Sequence, residues 1–283
     1  MRERLILAPG ARVSPHLLLL TVGGPIYCMQ LRHLARYLHA SLLCTDYGPN
    51  RYERPGQRGG RLEDWGDPAY DAAVAGLPAK LEAQGLKVSK LLVVGVSYSG
   101  FANAELVASQ PRLHPAALVM IDSYLDLASR FAALPLYHQT RAEILKAVGG
   151  TPAQLPAAYA RRSPSHHLAT LASEIRAGMQ FIDVWSVAAP EAHEFHGATC
   201  SWNANAHWLA ELATILGRPV TGYPTQLLHA HALWDHGRGV LQLAGIGAGA
   251  AGLPARPVQF QPRTEPPLGS YCVWHPGAGP KRR

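Results

Sequence analysis

The sequence predicts an α/β fold: a mostly parallel central sheet with helices on both faces and a helical insertion that forms a lid. Three observations predict it. Short apolar runs alternate with segments of helical period. The first strong run stops at a glycine turn that opens a helix. A later run passes through a turn of small residues directly into another helix.

Leu17-Leu-Leu-Leu-Thr-Val22 is almost wholly apolar and ends at Gly23-Gly24-Pro25, as a strand buried on both faces reads. Leu31, Leu34, Ala35 and Leu38 then recur at helical spacing. A second short strand is expected over 41–45, then a loop over 46–66 rich in Gly, Pro and Arg. Residues 71–84 read as a helix that Pro78 kinks or breaks. A third strand over 90–95, a helix over 101–109 and a fourth strand over 116–121 complete a strand-helix alternation that argues for parallel pairing.

From 125 to 196 the text turns to helices and loops, with helical stretches at 141–148, 152–162 and 168–181. This insertion is expected to cap the C-terminal edge of the sheet, where open α/β sheets bind ligands. The last two strands are expected over 198–201 and 225–229, flanking a helix over 206–216 that Gly217 and Pro219 end. One domain over 1–243 results. The Gly-, Ala- and Pro-rich stretch 244–283 reads as a flexible tail that adds little to the core.

Composition narrows the function classes. With 283 residues, 48% of them hydrophobic and 16% charged, the chain is neither a disordered polyelectrolyte nor a membrane bundle. The apolar run at 17–22 is far too short to span a bilayer, and the start, Met1-Arg-Glu-Arg-Leu, lacks the apolar core of a signal peptide. A cytoplasmic protein without membrane attachment is expected. Lys plus Arg number 26 against 19 Asp plus Glu, a net charge of +7, but the arginines are dispersed. The densest clusters lie at 51–61 and at Lys281-Arg282-Arg283, with no basic helix or aromatic stripe, so no nucleic-acid partner is expected. Cys28, Cys44, Cys200 and Cys272 are scattered without zinc or disulfide-framework spacing and read as free thiols.

The chemistry concentrates at Leu91-Leu-Val-Val-Gly95-Val96-Ser97-Tyr98-Ser99-Gly100. A strand running through Gly-x-Ser-x-small into a helix is the context of a nucleophile elbow, whose small residues let strand and helix approach while the hydroxyl stands above the sheet. Ser97 is the candidate nucleophile. A serine needs a base, and the base an acid to orient it, in the chain order Ser, Asp or Glu, His. The expected strand at 198–201 is followed by no carboxylate, so the acid is sought one strand earlier. Asp122 ends the apolar run Ala117-Leu-Val-Met-Ile121, with Asp126 next in line. For the base, His229, His231 and His236 compete after the last expected strand; His231 is preferred. The oxyanion donors are expected to be the N–H of Tyr98 and that of Val22 or Gly23. No metal is expected: His229-x-His231 with Asp235-His236 misses the spacing of binuclear zinc strings, and His193-Glu-Phe-His196 misses His-Glu-x-x-His.

Four local motifs carry a family resemblance across about residues 16–240: the opening strand, glycine turn and helix at 17–38; the elbow at Gly95-Val-Ser97-Tyr-Ser-Gly100; Met120-Ile-Asp122-Ser123-Tyr124; and His231-Ala-Leu-Trp234. Together they resemble the α/β-hydrolase thioesterases that release products from polyketide and non-ribosomal peptide synthetases. The Asp-Ser-Tyr motif discriminates most, because in that family the acid follows this earlier strand. Ser99 and His229 depart from the pattern, each standing where it has glycine. The resemblance implies an acyl-enzyme reaction on a thioester borne by an acyl carrier protein or by coenzyme A. The phosphopantetheine arm belongs to the substrate, so no cofactor is implied. The alternatives are a carboxylesterase or lipase using the same triad on oxygen esters, and a binding protein that kept the fold without turnover. Met1 and the lack of an adjoining carrier motif lead us to expect a free-standing protein.

Overall fold

A computed structural model of the chain describes residues 2–46, 65–134, 136, 138–186, 198–225 and 258–262. The apolar run near the start becomes β2 (His16–Val22), preceded by β1 (Arg2–Ile6) and followed by α1 (Gly24–Tyr37) and β3 (Ser41–Asp46). Next come α2 (Pro68–Ala75), α3 (Leu77–Ala83), β4 (Val88–Val96), α4 (Tyr98–Ser109) and β5 (Ala117–Ile121). The chain continues through α5 (Leu127–Ala133), α6 (Gln139–Val148), α7 (Pro156–Ala160), a 3-10 turn (Pro164–His167) and α8 (Leu168–Arg176). It then forms β6 (Gln180–Ser186), α9 (Ala198–Leu216), β7 (Val220–Thr225) and β8 (Val258–Phe260).

The strands form one eight-stranded sheet in the order β1-β3-β2-β4-β5-β6-β7-β8. The inner six run parallel, and β1 and β8 close the two edges antiparallel. Successive residues of β4 feed two separate cores. Leu92, Val94 and Val96 pack with Leu31 and Leu34 of α1, while Leu91 and Val93 pack with Phe101 and Leu106 of α4 and Leu171 of α8. A strand whose two faces are both covered must be apolar at consecutive positions, which is why its sequence does not alternate. Each leucine so buried contributes about 1.5–3 kcal/mol of transfer free energy.

The order of the sheet also locates a binding crevice. From β2 the chain steps through α1 to β3 on one side, then crosses back to β4 on the other side. The C-terminal ends of β2 and β4 therefore flank the point where the winding direction reverses, the usual ligand position in open α/β sheets. The turn at Gly23 and the elbow at Ser97 lie there.

Several expectations change. β1 was not foreseen. The helix expected over 71–84 is two, with Pro78 in the first turn of α3, where its missing N–H is harmless. Residues 198–201 belong to α9, not to a strand; the strand before β7 is β6, inside the stretch read as lid. Asp183 interrupts the apolar run of β6, which hides a doubly covered strand among helical text. The insertion is accordingly shorter than 125–196: α5 to α7 remain, whereas Leu171, Ala172 and Ile175 of α8 join the core that covers the sheet. β7 ends at Thr225, where the last strand was expected to begin, and residues 226–229 lie outside the described residues. Three residues of the expected tail form β8, with Phe260 buried. Cys28 and Cys44 are not free thiols but a disulfide, their Cα atoms 5.6 Å apart, because α1 packs on β3. Among the described residues no helix is long and apolar enough to cross a membrane.

Candidate active site

Ser97 joins β4 to α4 with φ 54° and ψ −123°, a strained backbone for a residue with a side chain. The surroundings over-determine this conformation. The Ser97 N–H donates to the Ile121 carbonyl of β5 (2.8 Å), and Ser123 Oγ donates to the Ser97 carbonyl (2.9 Å). A Cβ on Gly95 would stand 2.5 Å from the Ser99 backbone and from Asn103 Nδ2, and one on Gly100 would stand 2.7 Å from Ser123 Cβ. Both glycines are thus required by close approach. Ser97 itself is half-buried, whereas Ser99, Gly100 and Phe101 behind it are buried.

Asp122 occupies the equivalent position on the neighbouring strand. Val96 of β4 pairs with Ile121 of β5, so Ser97 and Asp122 are the next residues out at the same edge. Asp122 has φ 46°, and its N–H donates to the Val184 carbonyl (2.8 Å). The runner-up, Asp126, is committed elsewhere. It caps α5 by accepting the Ser129 N–H (2.7 Å), and it also accepts Ser165 Oγ–H (2.8 Å). The geometry brings Ser97 together with Asp122 and leaves Asp126 as a helix cap.

The segment that follows β6 carries Glu191 and Glu194, which lie outside the described residues, so the search after residues 198–201 looked beyond the wrong element. Asp122 now rests on its own position beside Ser97. His229, His231 and His236 also lie outside the described residues; β7 ends at Thr225, four positions before His229.

The expected oxyanion donors need correction. The Val22 N–H donates to Asn103 Oδ1 (2.9 Å) and the Gly23 N–H to the Thr45 carbonyl (3.0 Å), so both are committed within the fold. Asn103 is fully buried, so the Val22 N–H faces the packing of α4 instead of solvent. The next N–H belongs to Gly24, the first residue of α1. Gly24 follows the turn after β2, at the same end of the sheet as Ser97. Tyr98 is the first residue of α4, so its N–H belongs to the first-turn donors that intrahelical bonds do not use. Sequence reasoning missed Trp65, which is buried edge-on against Tyr98 with ring centroids 4.9 Å apart and supports that first turn. Its place in a Gly-, Pro- and Arg-rich stretch gave no signal.

Beneath Asp122 lies a second carboxyl. Asp183 of β6, paired with Met120, is completely buried, and neither oxygen makes a well-formed hydrogen bond among the described residues. Its pKa is pushed up to about 8, first by burial and then by the charge of Asp122, with the Asn205 amide offsetting a part. The Asn205 side chain is largely engaged elsewhere: Nδ2 donates to the Ser123 carbonyl (2.7 Å) and Oδ1 accepts the Leu125 N–H (3.0 Å). Asn205 thereby holds the chain on both sides of Tyr124, just beyond Asp122. Among the described residues no group of three or more His, Cys, Asp or Glu side chains converges on a metal-sized site.

No protein-family model matches the chain, and no curated protein matches it. Solved structures do. An S-formylglutathione hydrolase from Agrobacterium tumefaciens aligns with a TM-score of 0.54 at 13% identity, covering 87% of this chain and 90% of that one. A puromycin hydrolase aligns with a TM-score of 0.55 at 18% identity, covering 85% of this chain and 35% of that one. An acylaminoacyl peptidase aligns with a TM-score of 0.57 at 12% identity, covering 93% and 40%. The chain thus spans well under half the length of the puromycin hydrolase and of the acylaminoacyl peptidase, and most of the S-formylglutathione hydrolase. These likenesses show an α/β-hydrolase fold.

Proposed function

We propose that the chain is a serine hydrolase that cleaves an acyl thioester through an acyl-enzyme intermediate. The observation that carries this reading is the strained backbone of Ser97 at the end of β4, held by the close contacts of Gly95 and Gly100 and by Ser123. Strain of this kind exposes a hydroxyl above a helix N-terminus, and a merely structural serine gains nothing from it. In the reaction, His231 takes the proton of Ser97 Oγ as that oxygen bonds to the carbonyl carbon. The tetrahedral oxyanion is held by the N–H groups of Tyr98 and Gly24. Collapse breaks the C–S bond, the thiol leaves with the proton from His231, and water then releases the acid by the same steps. Asp122 orients the imidazole and stabilises its cation. An acyl carrier protein or acyl-coenzyme A is the substrate carrier, in secondary metabolism or a related pathway, and the phosphopantetheine arm arrives with it.

The resemblance of Asp122-Ser123-Tyr124 to the thioesterase motif supports the thioester reading. So does a neighbour named for an acyl group carried on sulfur, S-formylglutathione. The neighbours named as peptidase and puromycin hydrolase favour a second reading, attack on an amide or oxygen ester by the same residues. Two measurements test these readings. A fluorophosphonate probe should label the wild-type chain at Ser97 and leave Ser97→Ala unlabelled, with turnover falling by about 10⁴-fold or more. Acyl thioesters, p-nitrophenyl esters and aminoacyl amides of equal acyl length should then be compared by kcat/KM. Thioesters are expected to lead; an unlabelled wild type would rule out the hydrolase, and a lead for amides would rule out the thioesterase.

A further inference from the structure

The structure assigns a positioning role to Thr21, Ser99 and Asn103: they form a buried polar clasp that sets the spacing between the nucleophile elbow and the turn after β2. This inference rests on the acyl-transfer reading above. Thr21 Oγ1 and Ser99 Oγ share a hydrogen bond of 2.8 Å, and Asn103 Oδ1 accepts the Val22 N–H at 2.9 Å. Asn103 Nδ2 approaches Ser99 Oγ at 3.5 Å, a long contact that completes the set. All three side chains have no solvent exposure. Ser99 and Asn103 stand four residues apart on α4 and so share the face that meets β2.

Burying three polar side chains in a core is costly unless each is satisfied, and valine, alanine and leucine would fill the same space without that cost. The clasp lies where two backbone segments touch: a Cβ on Gly23, whose φ is 125°, would stand 3.3 Å from Ser99 Cβ. On one side Ser99 follows Tyr98; on the other Thr21 and Val22 precede Gly24. One proposed oxyanion donor, Tyr98, therefore adjoins Ser99, and the other, Gly24, lies three residues beyond Thr21 and two beyond Val22, whose N–H the clasp holds. Hydrogen-bond donors stabilise a transition state only when their separation is held to a fraction of an ångström, and the residues that hold them need locked rotamers. Ser123 ties the opposite side of the elbow to β5, so the clasp supplies the restraint toward β2.

The experiment uses the full chain and the best ester or thioester substrate found above. Thr21→Val, Ser99→Ala, their double variant and Thr21→Ser are compared by kcat, KM and melting temperature. Each of Thr21→Val and Ser99→Ala should lower kcat about 10- to 100-fold with KM within about twofold. The double variant should fall no more than about threefold below the worse single variant, since both remove one interaction. Thr21→Ser, which keeps the hydroxyl, should stay within about threefold of wild type. Unchanged kcat, multiplicative losses, or a Thr21→Ser as impaired as Thr21→Val would each overturn the clasp. If Ser99→Ala fails to fold, the comparison of Thr21→Val with Thr21→Ser decides alone; if Thr21→Val also fails to fold, the trio is structural and the positioning role falls. A wild type that is inert and unlabelled at Ser97 removes the acyl-transfer reading and the positioning role together. An active wild type with unaffected variants removes only the clasp.

Discussion

The two flanks of the elbow treat buried polar groups in opposite ways. Toward β2, Thr21, Ser99 and Asn103 are fully buried and bonded to one another and to the Val22 N–H. Toward β6, Asp183 is equally buried, but its oxygens make no well-formed bond among the described residues, and it lies in the field of Asp122. The first flank holds a geometry; the second stores an electrostatic cost beside the proposed acid. A core can hold a polar residue at little cost only when its lone pairs and protons are satisfied. The difference therefore separates residues that position the site from one whose own ionisation is opposed by burial and by the charge of Asp122.

The largest expected effect tests whether the costly flank is the chemical one. Asp122→Asn should lower kcat by up to about 10⁴-fold, because an amide leaves the imidazole in the wrong tautomer. Asp126→Asn should leave kcat within about threefold of wild type and cost about 1 kcal/mol of stability, since the cap survives but its bonds weaken. Steady-state kinetics with urea melts measures both. Glu191→Gln and Glu194→Gln belong in the same panel: a loss of kcat at either with Asp122→Asn active would transfer the acid to the segment after β6.

A smaller effect sharpens the packing of the other flank. Gly95→Ala puts a methyl 2.5 Å from the Ser99 backbone, where neither strand nor helix can yield. It should destabilise the fold by about 2 kcal/mol, within the usual range for overpacking. Chemical denaturation reads this directly. A variant as stable as wild type would mean that β4 and α4 are not in close contact and that the elbow is wider than described.

How much of this was legible in the sequence depended on the chemistry of each segment. The run Leu91 to Gly100 carries strand, turn and helix within ten residues, so the elbow could be read locally. Asp122 was legible because it ends an uninterrupted apolar strand. β6 was not, because Asp183 sits in mid-strand and breaks the apolar run that marks a doubly covered strand. The misplaced strand then misdirected the search for carboxylates. The Val22 and Gly23 donors failed for another reason: an N–H is available only if nothing in the fold accepts it, and Asn103 and Thr45 lie 81 and 22 residues away along the chain. The Cys28–Cys44 bridge is of the same kind, since a separation of 16 residues reveals nothing until α1 packs on β3.

The smallest effect concerns the stored cost itself. In the unfolded chain Asp183 ionises near the ordinary aspartate pKa of 3.8, but in the fold not until about 8. Below the lower value both states hold the proton, and the group does not change stability with pH. Between the two the folded state keeps a proton that the unfolded state has released, so stability falls as pH rises through this window and levels off above it. Asp183→Asn carries no such proton and should lose the slope; its melting temperature should exceed that of wild type at pH 8 and match it near pH 4. Asp122→Asn removes the second cause of the shift and keeps the first, so in that variant the decline should end at a lower pH. Melting curves from pH 4 to 9 on the three proteins distinguish these outcomes. Parallel declines in wild type and Asp183→Asn would mean that the buried carboxyl is satisfied after all, and the contrast between the two flanks would disappear.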